Sequence, residues 1–235
     1  MRLGLIAGTV FYGIDLFSEA EKQEIETPYG PALVLVTERV AYLPRHGLDP
    51  ARYTLPHRIN HPANLAALQE LGVKEIIGVH SSGSLRRTLP PGSIVVPEDF
   101  ISFFDAPTTA FNQALHVAPI LSETLRGRLI EAAEKAGIGV HDGGIYWQSR
   151  GPRLESKAEV RVIQAFADVV GMTMSDEAVV AQELNLAYAS LCSVDNYAHG
   201  LATSPLTEDE IRQGAKTNSQ KMIAIFNQLL EMAGR

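Results

Sequence analysis

Short apolar runs, each closed by glycine, serine, threonine or proline and set apart by helix-length segments, constrain this chain more than any other feature. Runs of this length that stay apolar on both alternating faces read as strands covered on both sides of a sheet. Arg2-Leu-Gly-Leu-Ile-Ala7 stops at Gly8-Thr9, runs at 32–36 and 39–43 follow, and the second ends in Pro44-Arg-His-Gly47. The run 74–79 leads into a small polar turn, His80-Ser-Ser-Gly-Ser84, and further strands are expected at 93–96, 139–141, 144–147, 169–172 and 188–194. Asn60-His-Pro62 opens a helix with Leu65, Leu68 and Leu71 on one face and Gly72 at its end. Helices are also expected near 121–136, 157–167 and 177–184, with 99–119 irregular. Thr207-Glu-Asp-Glu210 reads as a capping box for a long amphipathic C-terminal helix. The alternation predicts an α/β fold: a single domain over 1–235 with a central mixed β-sheet flanked by helices, and ligands held beyond the C-terminal strand ends.

Composition narrows the function. Hydrophobic content of 46% supports a large core, and a formal net charge of −7 without a basic stripe excludes a nucleic-acid partner. The N-terminal apolar stretch 3–17 carries Asp15 and lacks a small-residue cleavage site. It is too short for a bilayer span, so a buried strand and turn are expected and no membrane partner. The single cysteine, Cys192, lies in an apolar run and suits a reducing cytoplasm. Seven histidines show no His-Glu-x-x-His or paired-cysteine spacing, so no catalytic metal is expected.

Four loops at strand ends carry anion chemistry: Gly8-Thr9, Arg45-His46, Ser81-Ser-Gly-Ser84 and Met172-Thr173. Backbone amides, hydroxyls and one guanidinium converging there make a nest for phosphate or sulfate. Gly8-Thr-Val-Phe-Tyr-Gly13 has the glycine interval of an NTPase phosphate loop, but Ile14-Asp15 replaces the required Lys-Ser/Thr. No dinucleotide glycine motif follows the first strand. Ser81-Ser82 lacks the flanking glycines of a nucleophile elbow, which leaves a serine hydrolase as the reading from another class.

Taken with Pro44-Arg-His-Gly47, His57-Arg-Ile-Asn60, Gly83-Ser-Leu-Arg86, Pro91-Gly92, Gly151-Pro-Arg-Leu-Glu155 and Gly171-Met-Thr-Met-Ser-Asp-Glu177, the chain resembles the trimeric purine nucleoside phosphorylase and 5′-methylthioadenosine phosphorylase family nearly throughout. The resemblance implies a homotrimer and phosphate attack on a nucleoside C1′, with inorganic phosphate as co-substrate and neither metal nor organic cofactor. It assigns Thr9, Arg45, His46, Ser81, Ser82 and Thr173 to phosphate. It puts Met172 under the ribose, Leu154 on the base, Tyr146 beside the sugar and Asn196 at the purine N7. Val10, His80 and Asp176 depart from the family's usual glycine, small polar residue and proline, and the changes at Val10 and His80 leave a non-catalytic purine-binding protein as an alternative.

Glu155 carries the base choice, because a carboxylate accepts from the N1–H of a 6-oxopurine and faces a lone pair on adenine. Ala198 stands where 6-aminopurine members have a second aspartate. On the 5′ side, His116 resembles the histidine that a neighbouring subunit lends to a methylthio pocket, whereas Glu208, if turned inward, favours a 5′-hydroxyl. The expected reaction is S-methyl-5′-thioinosine plus phosphate giving hypoxanthine and 5-methylthioribose 1-phosphate. Phosphorolysis of inosine or guanosine, and of methylthioadenosine, stay open.

Overall fold

The computed structural model describes residues 2–11, 17–111, 114–202 and 206–233. Strand β1 (Leu3–Ala7) alternates its side chains between two cores, Leu3, Leu5 and Ala7 to one and Ile6 to the other. This two-sided burial is why the strand is apolar throughout. It pairs in parallel with β4 (Val40–Pro44) and β5 (Glu75–Ser84). Beyond β4 the sheet continues through β3 (Ala32–Val36) to β2 (Glu21–Ile25), both antiparallel. Beyond β5 come β10 (Val169–Gly171), β9 (Ile145–Gln148) and β7 (Asp99–Ile101). The long β11 (Ala187–Tyr197) covers the other edge of β5 and carries β6 (Ile94–Val96) and β8 (His141–Asp142).

Helices α1 (His61–Glu70) and α4 (Met174–Glu183) pack on the face of Ile6, Ile76 and Tyr188. Helices α2 (Glu123–Lys135) and α5 (Glu208–Ala233) pack on the face of Leu5, Ile77 and Leu191. A smaller cluster sets α3 (Lys157–Ile163) against Leu85 and Val170. The fold is the expected α/β arrangement, a mixed sheet flanked by helices. Asn60 and Ser122 cap α1 and α2, each accepting a backbone N–H three residues on.

Several boundaries differ from the sequence reading. The polar segment 80–84 is strand rather than turn, because β11 pairs it residue for residue to Ser84. β11 likewise runs on to Tyr197 across a bulge between Val194 and Asn196, so Asn196 belongs to the strand itself. α4 begins at Met174, three residues earlier than expected, and α3 stops at Ile163. β2, Glu-Lys-Gln-Glu-Ile, has no apolar alternation to announce it; its charges are those of an exposed edge strand. β7 takes the first residues of the stretch expected to be irregular.

The bulge fixes α5. A Cβ built on Gly214 would lie 2.0 Å from the Asp195 carbonyl oxygen, so the helix touches the strand backbone there. Gly214→Ala gains about 1 kcal/mol of helix propensity but loses more to overpacking, typically about 1–3 kcal/mol. Urea unfolding should show a lower midpoint for the variant; a raised midpoint would mean that α5 stands clear of the bulge.

Candidate active site

A pocket opens where β5 changes partners. β1 follows it only to Gly78 and β10 joins at Gly83, so residues 79–82 have no strand on that edge. Their backbone groups turn to other partners. The Val79 carbonyl accepts Arg45 Nη1 at 2.7 Å, and by the two-residue alternation of a strand the Ser81 backbone faces the same edge. The cavity in this gap, about 210 Å³, is lined by Arg45, His46, Ser81, Ser82 and Thr173 together with Leu154, Glu155, Met172 and Asn196. Leu206 and Ile211, at the approach to α5 and in its first turn, complete an apolar part of the wall.

Nine of the expected site residues therefore line one cavity. Tyr146 does not: strand alternation turns it wholly inward, where its hydroxyl accepts the Thr173 amide at 3.3 Å. His116 is exposed and stands away from the pocket of its own chain. The side chains of Thr9 and Glu208 lie outside the described set.

Arg45 is not the uncompensated cation that its loop suggested. Its Nε lies 2.6 Å from Glu177 Oε1 and its Nη2 donates to Glu177 Oε2 at 3.3 Å and to the Ile6 carbonyl at 3.1 Å. Burial opposes the guanidinium's charge, yet Glu177 holds its pKa above the ordinary value. Burial lifts Glu177 above the usual carboxylate range against the pull of Arg45. A guanidinium 2.6 Å away keeps the carboxylate ionised.

Two histidines meet this pair. His46 Nδ1 is 2.7 Å from the Thr54 carbonyl, and the ring stacks on Tyr53 with centroids 4.4 Å apart. Burial, and then Arg45, lower its pKa to about 4, so the ring is neutral with its proton on Nδ1. His80, wholly buried, reaches Thr173 Oγ1 and the Tyr188 hydroxyl at 2.8 Å each, and that hydroxyl donates to Glu177 Oε2 at 2.8 Å. Burial, then Arg45, hold its pKa well below the histidine range.

Glu155 is half-buried on the pocket wall. The helix beginning after it is capped by Ser156 and Glu159, and the Glu155 carboxylate accepts no hydrogen bond among the described residues. Asn196 donates through Nδ2 to the Tyr197 carbonyl at 2.8 Å and keeps a second N–H and its carbonyl oxygen. Ser82 Oγ donates to the Ser193 carbonyl at 2.8 Å. Neither His46 nor His80 bonds Ser81 or Ser82, so the structure offers no serine–histidine pair there for a hydrolase.

Glu177 and Tyr188 escaped the sequence reading. An acid next to Asp176 in a helix's first turn looks like a solvated dipole partner, and Tyr188 looks like core. Beyond Pro56 a second cavity of about 230 Å³ is lined by His57, His61, Arg150 and Asp176. His61 is buried with neither ring nitrogen bonded, its Nε2 3.7 Å from Asp176 Oδ2. Burial, then Arg45, push His61 to about 3, while burial, then Glu177, push Asp176 to about 7. Among the described residues no three His, Cys, Asp or Glu side chains group to hold a metal ion.

Comparison with known proteins gives three consistent results. The family description "Phosphorylase superfamily" matches residues 2–231. An Archaeoglobus fulgidus protein named "Probable 6-oxopurine nucleoside phosphorylase" is 42% identical over 234 residues, 97% of this chain and 96% of that one. A Methanothermobacter thermautotrophicus protein named "Probable S-methyl-5'-thioinosine phosphorylase" is 40% identical over 232 residues, 96% and 82% of the two chains. Among solved structures, a methylthioadenosine phosphorylase sourced from an antarctic soil metagenomic library superposes with TM-score 0.85 at 28% identity, covering 99% of this chain and 86% of that one.

Arg45→Ala should lower stability by about 3–5 kcal/mol in urea unfolding, because it strands the Glu177 charge, and Arg45→Met with Glu177→Gln should recover part of the loss. An Arg45→Ala variant as stable as the parent would remove the ion pair from this role. His61, with a folded pKa of about 3 against about 6.5 when unfolded, contributes stability that is present above pH 6.5 and lost as pH falls toward 3. His61→Phe should therefore flatten that acid loss by up to about 1.4 kcal/mol per pH unit. Parallel slopes for parent and variant between pH 6.5 and 4.5 would show that His61 is charged in the folded state.

Proposed function

The chain belongs to the phosphorylase superfamily, and on that premise we propose that it cleaves 6-oxopurine nucleosides with phosphate, taking S-methyl-5′-thioinosine to hypoxanthine and 5-methylthioribose 1-phosphate. The observation that carries the base choice is Glu155, a pocket carboxylate with no hydrogen bond of its own among the described residues. It accepts from N1–H of hypoxanthine; adenine offers it only a lone pair. The names of the two archaeal relatives support the same base class.

Phosphate takes the end of the pocket formed by Arg45, His46, Ser81, Ser82 and Thr173 and attacks C1′ as the glycosidic bond lengthens. Positive charge gathers on the ribose beside the phosphate, and negative charge moves onto the purine, where Asn196 donates to N7. Met172 lies under the ribose and Leu154 on the base. The protein contributes position and hydrogen bonds; no metal or organic cofactor enters the reaction. Leu206 and Ile211 give the pocket an apolar wall suited to a methylthio group.

The active form is a homotrimer in which His116 completes a neighbour's 5′ pocket. Exposed Phe103, Phe111 and Ile120 along the same connection supply apolar surface for such contacts. No helix among the described residues is long and apolar enough to cross a membrane, and the buried free Cys192 suits a reducing cytoplasm, where the enzyme serves purine salvage.

A nucleoside panel with and without phosphate, read by chromatography of the released base, tests the proposal. Methylthioinosine should exceed methylthioadenosine in kcat/KM by roughly 10⁴-fold, as expected for a site built around one donor. Glu155→Ser should collapse the ratio by losing oxopurine activity. Equal rates on the two methylthionucleosides would return the chain to the 6-aminopurine branch, faster inosine cleavage would make it a nucleoside phosphorylase, and absence of phosphate-dependent base release would overturn the reading.

A further inference from the structure

The chain Glu177, Tyr188, His80, Thr173 has a fixed direction. Glu177, ionised beside Arg45, only accepts, so Tyr188 gives its one proton to Oε2 at 2.8 Å. The phenol oxygen must then accept from His80 Nε2 at 2.8 Å. A neutral imidazole carries one proton, so Nδ1 is a lone pair, and Thr173 Oγ1, also 2.8 Å away, must donate inward. Thr173 lines the pocket, caps no backbone amide of α4, and is left showing lone pairs instead of a proton. His46, its proton committed to the Thr54 carbonyl, also has Nε2 as an acceptor, with the Tyr53 hydroxyl 3.4 Å away.

Two of the side chains assigned to phosphate thus accept where an anion site ordinarily donates. Building on the phosphorolytic reading, we propose that this site selects an oxyanion carrying its own proton, hydrogen phosphate, over a fully deprotonated one of the same charge and shape, sulfate. Thr173 Oγ1 accepts the single P–OH proton, His46 Nε2 has none to give, and the Ser81 backbone and Arg45 Nη1 face the unprotonated oxygens. His80 and Tyr188 touch no substrate; they are positioning residues that act through Thr173. The departure at His80 from a small polar residue is what gives the chain its direction.

Calorimetric titration of the full chain with sodium phosphate and with sodium sulfate at pH 7.5 tests this. Sulfate should bind about 10- to 100-fold more weakly, the range expected when a buried acceptor is left unmatched. In His80→Ala no ring nitrogen faces Thr173, its hydroxyl is free to turn its proton outward, and the phosphate-to-sulfate ratio should fall toward unity through a gain in sulfate affinity. A change confined to packing would weaken both anions alike. Thr173→Val, nearly isosteric, should also lower the ratio, through loss of phosphate affinity, and serves if His80→Ala does not fold. Equal binding of the two anions to the unmodified chain, or an unchanged ratio in a folded variant, overturns the proton selection while phosphate-dependent turnover keeps the phosphorolytic reading. Absence of phosphate binding together with absence of phosphate-dependent base release removes both.

Discussion

Arg45 and Glu177 face each other at 2.6 Å with almost no contact with solvent, and the geometry of the pocket end depends on that pair. Removing two charges from water costs several kcal/mol per ion, and their attraction alone does not dependably offset it. What the pair secures is placement. Arg45 leaves the end of β4, holds carbonyls at Ile6 in β1 and Val79 in β5, and grips Glu177 on α4. One guanidinium thereby fastens three strands and a helix around a single cavity. The same carboxylate anchors Tyr188 and, through it, His80 and Thr173, so the charge that steadies the fold also sets which way protons point in the pocket.

The cavity itself follows from unequal strand lengths. β5 outruns β1 and meets β10 only at Gly83, and the gap between them exposes main-chain groups that a continuous ladder would have consumed. On the opposite edge β11 stays paired but needs an extra residue at Asp195 to do so. The displaced strand brings Asn196 to the pocket, and its backbone meets α5 at Gly214. Burial raises the Asp195 carboxyl to about 6, against hydrogen bonds that include those from Ser193 and Asn218.

Strand ends that held Gly8, Arg45 and Thr173 were legible because apolar runs stop abruptly at small or polar residues, and the start of α1 was legible because Asn60 stands where an N-cap must. The segment 80–84 was not, since Ser and Gly favour turns and only the long-range pairing with β11 makes them strand. Glu177 was hidden by its neighbours: beside Asp176 at a helix start, nothing local distinguishes a buried counter-ion from a solvated acid. Arg45 could be located but not its partner, 132 residues away. His80 stood out as a departure, yet its partners in Thr173 and Tyr188 exist only after α4 and β11 have packed.

The pocket draws its lining from residues between Arg45 and Ile211, and no short stretch of chain contains it. Partly folded forms therefore have nothing to offer a ligand, and occupancy favours the native state as a whole. At about 100 times its dissociation constant, a bound ligand adds roughly 2.7 kcal/mol to global stability. Proteases that act on transiently opened chains would meet this protein less often when it is occupied, so its lifetime in a cell would follow the supply of its substrates.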